Sequence, residues 1–362
     1  MPLTYFQPSQ VDSSFNGYLR NRIINGAMMI DQRNAGASVT PTNGVYTLDR
    51  WYGWASQTSK YTVQQNGGGV TLPAGFTNYL GVTSSSSYSV LTADYFGIVQ
   101  PIEGLNVYDL AWGTALASTV TLSFWVRSSL TGTFGGVVQN SAQTRSYPFT
   151  YTIIGANTWE YKTVVIPGDT TGTWLTNNGV GLRLAFGLGV GATFSGPAGA
   201  WAAANYVSAT GAASVVGTNG ATFYITGVQL EDGAVATPFE RRLYGTELQL
   251  AQRYYWKVTG GSPFGGIIAG GPSFNMPVTF PQQMRAVPTV ALSSVSDWTV
   301  HNAVSNISFS SFDLTTTMST NSSVQFNLYG LSTGSAGQYG HIRSYNGSTF
   351  NANAWLAFSS EL

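Results

Sequence analysis

Two stretches of the chain restrict its fold more than any other feature. In Thr119-Val120-Thr121-Leu122-Ser123-Phe124-Trp125-Val126-Arg127, the residues Val120, Leu122, Phe124 and Val126 fall on one side, with Thr121, Ser123, Trp125 and Arg127 on the other. In Gly181-Leu182-Arg183-Leu184-Ala185-Phe186-Gly187-Leu188, the residues Leu182, Leu184, Phe186 and Leu188 share a side, with Arg183 opposite. Side chains alternate across a strand and recur every 3.6 residues in a helix, so apolar residues spaced by two mark half-buried strands. Trp159 to Ile166 and Ala221 to Leu230 read as further strands, and Pro167-Gly168-Asp169 and Asn177-Asn178-Gly179 read as turns between them. Half-buried strands joined by long connections predict an all-β chain whose main body, residues 48–245, is a jelly-roll-like antiparallel β-sandwich.

The flanks are less regular. Residues 1–47 carry Arg20, Arg22 and Arg33 and show no strict alternation. They read as an extended arm with one short strand, or as the first strand of the sandwich. The arm reading makes the three arginines candidates for attachment to a larger assembly. A short amphipathic helix is expected over 246–257. Thr246 can cap it, Glu247 suits its positive end, and Leu248, Ala251, Tyr254 and Tyr255 follow at three- and four-residue steps. Such a helix packs on its own domain or on neighbouring subunits. Residues 258–362 open with glycine pairs and then suit short strands at Val278–Phe280, Val287–Val295, Asn306–Thr317, Val324–Gly330, Tyr339–Arg343 and Ala354–Phe358, a smaller C-terminal β-domain. No heptad, collagen triplet or solenoid period is present, so no long shaft is expected.

Charge narrows the partners. Charged residues make up 8% of the 362, with 15 Lys and Arg against 15 Asp and Glu. Soluble domains average roughly a quarter. A nucleic-acid binder or an anionic-membrane binder needs a cationic footprint, and none is visible. With no cysteine, disulfides, thiolate metal sites and thiol nucleophiles are excluded. The start, Met1-Pro2-Leu3-Thr4-Tyr5, lacks a secretory pattern, and no run of about 18 apolar residues exists to span a bilayer. The expectation is synthesis in the cytoplasm and release without conventional secretion.

The motifs favour surfaces over catalysis. His301 and His341 lie far apart in sequence and suggest no metal site. No alternating β/α pattern accompanies them to support a catalytic triad. A glycosidase needs two carboxylates placed across the scissile bond, and Glu103, Glu160 and Glu231 are isolated candidates. Gly67-Gly68-Gly69 lacks the lysine and helix of a phosphate loop. The expectation is a non-enzyme without cofactor or metal. Sugar binding suits the composition better, since aromatic rings stack on the apolar faces of sugars. Trp125, Arg127 and Arg183 form the candidate glycan face, and Trp51, Tyr52, Trp54, Trp159, Trp174 and Trp201 offer further rings. The alternative use of these tryptophans is to fill a core or a subunit interface.

Asn21-Arg22-Ile23-Ile24-Asn25-Gly26 through Ile30-Asp31-Gln32-Arg33-Asn34-Ala35-Gly36, followed by Tyr46-Thr47-Leu48-Asp49-Arg50-Trp51, resembles a family of bacteriophage tail or tail-fibre proteins. Ala221-Thr222-Phe223-Tyr224-Ile225-Thr226-Gly227-Val228-Gln229-Leu230-Glu231, Ala236-Thr237-Pro238-Phe239-Glu240-Arg241-Arg242, Tyr244-Gly245-Thr246-Glu247-Leu248 and Gln252-Arg253-Tyr254-Tyr255 strengthen the likeness, as do Met284-Arg285-Ala286-Val287-Pro288-Thr289-Val290 and the closing Phe358-Ser359-Ser360-Glu361-Leu362. The resemblance implies a trimeric virion protein with a carbohydrate-binding-module-like jelly roll. Related jelly rolls often hold calcium through an aspartate in the last strand. Ile225-Thr226-Gly227-Val228 lacks it, so calcium is not carried over.

The expected function is therefore a structural protein on the virion exterior, a tail-fibre or tail-tip component that contacts other virion proteins and a host-surface glycan. The alternatives are a capsid-decoration or baseplate protein that binds virion proteins alone, and a polysaccharide depolymerase.

Overall fold

The computed structural model describes residues 20–261, 263–269, 272–315, 319–346 and 349–362. The chain is all-β apart from one α-helix and short 3-10 turns among the described residues. It divides into two compact units that part between Glu247 and Leu248.

The first unit is an antiparallel sandwich. Its strands are β1 (Tyr46–Leu48), β2 (Trp51–Ala55), β3 (Tyr61–Gln65), β4 (Leu80–Ser84), β5 (Tyr95–Glu103), β6 (Val120–Ser128), β7 (Gly132–Asn140), β8 (Ser146–Ile153), β9 (Glu160–Ile166), β10 (Val180–Val190), β11 (Ser195–Gly196), β12 (Ser208–Ala209) and β13 (Thr222–Asp232). One sheet runs β1-β2-β5-β10-β7-β8 and the other β3-β4-β13-β6-β9, with β11 and β12 forming a small parallel pair. The alternation expected for β6 and β10 holds: Val120, Leu122, Phe124 and Val126 meet Leu182, Leu184, Phe186 and Leu188 in one core cluster. Rings give that core its shape. Phe186 lies 4.9 Å from Phe124 and 6.4 Å from Phe223, at edge or tilted angles that suit aromatic quadrupoles.

Residues 20–47 are not a detached arm. Ile23, Met28 and Ile30 are buried, and Ile23 and Met28 belong to the sandwich core. The fastening is made by amides. Asn21 Nδ2 donates to Val228 O, while Asn21 Oδ1 accepts from Ile23 N and Leu230 N. Asn25, at φ 60°, donates from Nδ2 to Ile30 O and Asp49 O. Opposite them, β13 bulges between Thr226 and Gln229, with Gly227 at φ 60°. The bulge frees Val228 N to donate to Gly26 O. A Cβ on Gly26 would sit 2.2 Å from Val228 O, so this approach requires glycine. Such a mixed, turn-rich segment buries itself without alternation, which is why it reads as an arm.

The helix α1 spans Tyr244–Gln252 rather than 246–257, and Thr246 lies inside it. Tyr255–Thr259 is instead a strand. Its aromatic and β-branched run pairs Trp256 with Phe358 and Val258 with Leu356, and that pairing overrides the helical spacing.

The second unit holds a three-stranded sheet in the order Tyr255–Thr259, Trp355–Ser359, Thr289–Leu292. Its seven-stranded sheet is ordered Asn306–Ile307, Thr299–His301, Tyr339–Arg343, Gly265–Ile268, Ser273–Thr279, Ser323–Tyr329, Ser311–Thr315. The expected Asn306–Thr317 strand is thus two strands, with 316–318 outside the described residues, and the glycine-rich Gly265–Ile268 is a strand too. Trp256 stacks on Phe358 at 5.4 Å and 19°. Arg285 donates to Ser360 O and Glu361 O, tying the Met284-Arg285 turn to the closing residues.

Two outcomes follow for stability. Phe186→Ala removes the ring shared by both sheets, so urea unfolding should show a loss of about 3–5 kcal/mol. Asp169, 2% exposed, receives Arg145 Nε at 2.7 Å and Nη2 at 2.8 Å. Burial pushes its carboxyl up, but Arg145 and Thr171 outweigh that and hold it below the usual range. A depressed carboxyl stabilises the fold above its unfolded pKa of about 3.9 and ceases to do so as pH falls through the folded value. Asp169→Asn should therefore lower the melting temperature at pH 7 and flatten its fall below about pH 4, read by calorimetry across pH.

Candidate binding cleft

The expected glycan face does not form one surface. Trp125 and Arg127 lie on the outer side of β6 in the five-stranded sheet, whereas Arg183 lies on β10 in the six-stranded sheet. The two sheets turn their outer sides in opposite directions. Trp125 packs 5.4 Å from Tyr161, and Arg127 donates to Asn157 O and stands 5.5 Å over Tyr224. Arg183 donates to Ser141 O at 2.7 Å and Asn140 O at 3.3 Å.

The arginines expected to serve attachment bond within the first unit. Arg20 pairs with Glu231 at 3.4 Å and donates to Pro238 O. Arg22 pairs with Asp109 at 2.5 Å, and Arg33 stands 4.9 Å over Tyr46. Nearby, Glu240 accepts from Arg20 N, Asn21 N and Arg242, and Glu247 accepts from Asn25 N and Arg242. They line a cavity of about 210 Å³ whose acids are already paired. Here the charges staple residues 20–25 to 237–247.

The tryptophans divide as well. Trp51 is wholly buried in the core. Trp174 and Trp201 meet Trp112 at 4.7 and 5.4 Å, and all three indole N–H groups donate to backbone carbonyls. Trp159 donates to Thr71 O and packs on Tyr79. Tyr52 and Trp54 differ. They face outward from β2 and join Val99, Val137, Ala185 and Val207 in a second apolar cluster on the outside of the six-stranded sheet.

That outer side is where a site forms. Gly97 pairs with Gly187 across β5 and β10, and Gly135 lies on β7 beside them. Without side chains there, the segment 192–209 lies on the sheet: a Cβ on Gly135 or Gly187 would meet Ser208 Oγ at 2.4 or 2.6 Å. The segment is pinned by backbone bonds between Ser146 and Ala202, by Ser146 Oγ donating to Ala204 O, and by Gln139. Between it and the sheet runs a cleft of about 180 Å³, lined by Asn43, Trp54, Tyr95, Gln143, Phe194, Asn205 and Val207.

The chemistry of the cleft is narrow. Three rings line it, with Tyr95 5.2 Å from Phe194 and 6.5 Å from Trp54, both nearly edge-on. Three carboxamides supply its side-chain amides, and no ionisable Lys, Arg, His, Asp or Glu is among its residues. Convergent rings with a few placed polar groups make a site for a neutral polar ligand. Trp54 was among the rings the sequence offered. Tyr95 was legible too, one step out of phase with buried Phe96 and Ile98. Asn43, Phe194 and Asn205 sit on connections, where no periodicity marks them.

Glu103, Glu160 and Glu231 are absent from the cleft lining. Glu103 and Glu231 are 1% exposed, and Glu160 accepts from Ile154 N, Gly155 N and Lys162. In the second unit the two histidines, distant in sequence, face each other across paired strands at 5.4 Å. Burial, with Arg343 and His301 nearby, holds His341 below the usual histidine range. Among the described residues no group of three or more His, Cys, Asp or Glu could hold a metal ion, and no helix is long and apolar enough to cross a membrane.

No protein-family model matches the chain, and no curated protein matches it. Among solved structures, the enzymatically active domain of tailspike protein 4 from bacteriophage CBA120 is similar at 13% identity and a TM-score of 0.34, over 59% of this chain and 22% of that one. A family 11 carbohydrate-binding module from Clostridium thermocellum, in complex with a mixed-linked tetrasaccharide, is similar at 12% identity and a TM-score of 0.27, over 55% and 97%. The tandem CBM22 domain of Paenibacillus barcinonensis Xyn10C is similar at 9% identity and a TM-score of 0.28, over 91% and 99%.

The glycines under segment 192–209 give a direct test. Gly187→Val should lift the segment, so hydrogen exchange at 205–209 rises while the strands of the sandwich keep their protection.

Proposed function

We propose that this protein is a non-enzymatic component of a phage exterior that binds a host-surface glycan in the cleft between segment 192–209 and the six-stranded sheet. One observation carries the reading: three aromatic rings and three carboxamides converge on a cleft lined by no ionisable Lys, Arg, His, Asp or Glu. Sugar rings carry apolar C–H faces and rims of hydroxyls, so they need rings to stack on and amides to orient them. The aromatic content of 14% beside 8% charge agrees with a protein built for contact surfaces. The resemblance of Asn21 to Trp51 and Ala221 to Tyr255 to phage tail proteins supports the virion setting and a trimer.

The non-enzymatic part of the reading is supported by the carboxylates. Glu103 and Glu231 are buried, and Glu160 is held by Lys162 and two backbone amides, away from the rings that would bind a sugar.

A glycan array probed with the whole protein tests the proposal. Binding is expected, and Phe194→Ala, which removes one half-buried ring from a connection, should weaken it about tenfold, or about 1.4 kcal/mol. An array with no bound glycan would replace this reading with a protein that contacts other virion proteins alone.

A further inference from the structure

We infer that the cleft takes an uncharged sugar ring and holds it by an acceptor atom placed against Gln143 Nε2. This rests on the glycan reading above and sharpens it to a ligand class and a contact.

A relay of amides fixes which atoms face the ligand. Tyr206 O is a backbone carbonyl and can only accept, so the Gln139 atom 2.7 Å from it is the Nε2 amine. The same amine donates to Asn205 Oδ1 at 2.9 Å. With its oxygen engaged there, Asn205 presents Nδ2, which donates to Gln143 Oε1 at 3.3 Å. Gln143 therefore has its oxygen occupied and offers Nε2, a donor, to the cleft it lines. Turning Gln139 over would set its oxygen against Tyr206 O. Gln139 is fully buried, so water cannot relieve that clash. It is a positioning residue, and Gln143 is the contact.

The platform under Gln143 is built to hold it. It sits in the β7–β8 hairpin at φ 57°, a conformation that favours glycine. Asn140 closes the turn, accepting from Gln143 N at its carbonyl and from Thr144 N and Arg145 N at Oδ1. A glutamine kept where glycine is easier fits a side chain retained for what it touches.

Charge and size complete the ligand class. A carboxylate ligand would lose water in a cleft whose lining offers it no cation. Arg183, on the same outer side, already donates to two backbone carbonyls. A volume of about 180 Å³ admits a small uncharged ring.

The test uses the full chain on an array of neutral, N-acetylated, amino and acidic glycans, followed by titration of the best binders. Neutral or N-acetylated sugars should bind at least about tenfold tighter than their uronic-acid counterparts. Gln143→Gly should keep or raise the melting temperature while weakening binding about tenfold. Gln143→Glu should shift preference from N-acetylated to amino sugars, a change that a merely structural residue would not produce. Gln139→Met should shrink the preference for N-acetylated over amino sugars. Binding confined to acidic glycans, or full binding in Gln143→Gly, overturns this inference and leaves the glycan reading standing. No binding to any glycan overturns both.

Discussion

The outer side of the six-stranded sheet depends on an absence of side chains. Gly97, Gly135 and Gly187 form a bare patch, and segment 192–209 descends onto it until Ser208 nearly touches the backbone. A strand must send every second residue outward, so a sandwich of this kind always has a second surface to dispose of. Here that surface carries Tyr52, Trp54, Val99, Val137 and Ala185, too apolar to leave bare. The overlying segment covers most of it. The uncovered seam, edged with rings and amides, is the cleft.

Polar side chains do two different jobs. In the 20–47 segment, Asn21, Asn25, Glu240 and Arg242 satisfy backbone groups that no strand pairs, allowing an irregular stretch to be buried. In the cleft, Gln139 and Asn205 also bond internally, but their chain ends on Gln143 with a donor left to give. The first network serves the backbone of its own segment. The second opens on the cleft.

Much of this was legible beforehand, for a physical reason. Burial of one face imposes a two-residue period, so β6, β9, β10 and β13 could be read to within one or two residues. The Tyr255–Thr259 strand was missed because Leu248, Ala251, Tyr254 and Tyr255 fit a helical face and nothing local reveals that Trp256 will meet Phe358. The 20–47 segment was misread because amide hydrogen bonds to a bulge leave no periodic trace. For the cleft, the sequence pointed to aromatic rings as platforms, and Trp54 among them lines it. Placing Trp125 with Arg183 failed because alternation says which side of a strand is outward but not which sheet the strand joins. Phe194 and Asn205 come from a connection whose path only the bare glycine patch explains.

The central claim is that ligand chemistry belongs to the seam on the six-stranded sheet rather than to the Trp125 face. Indole N–H resonances of the ten tryptophans, followed by NMR while a bound glycan is titrated in, separate the two directly. The account predicts that Trp54 shifts in a saturable way while Trp125 stays still. Movement of Trp125 with Trp54 unchanged would contradict it.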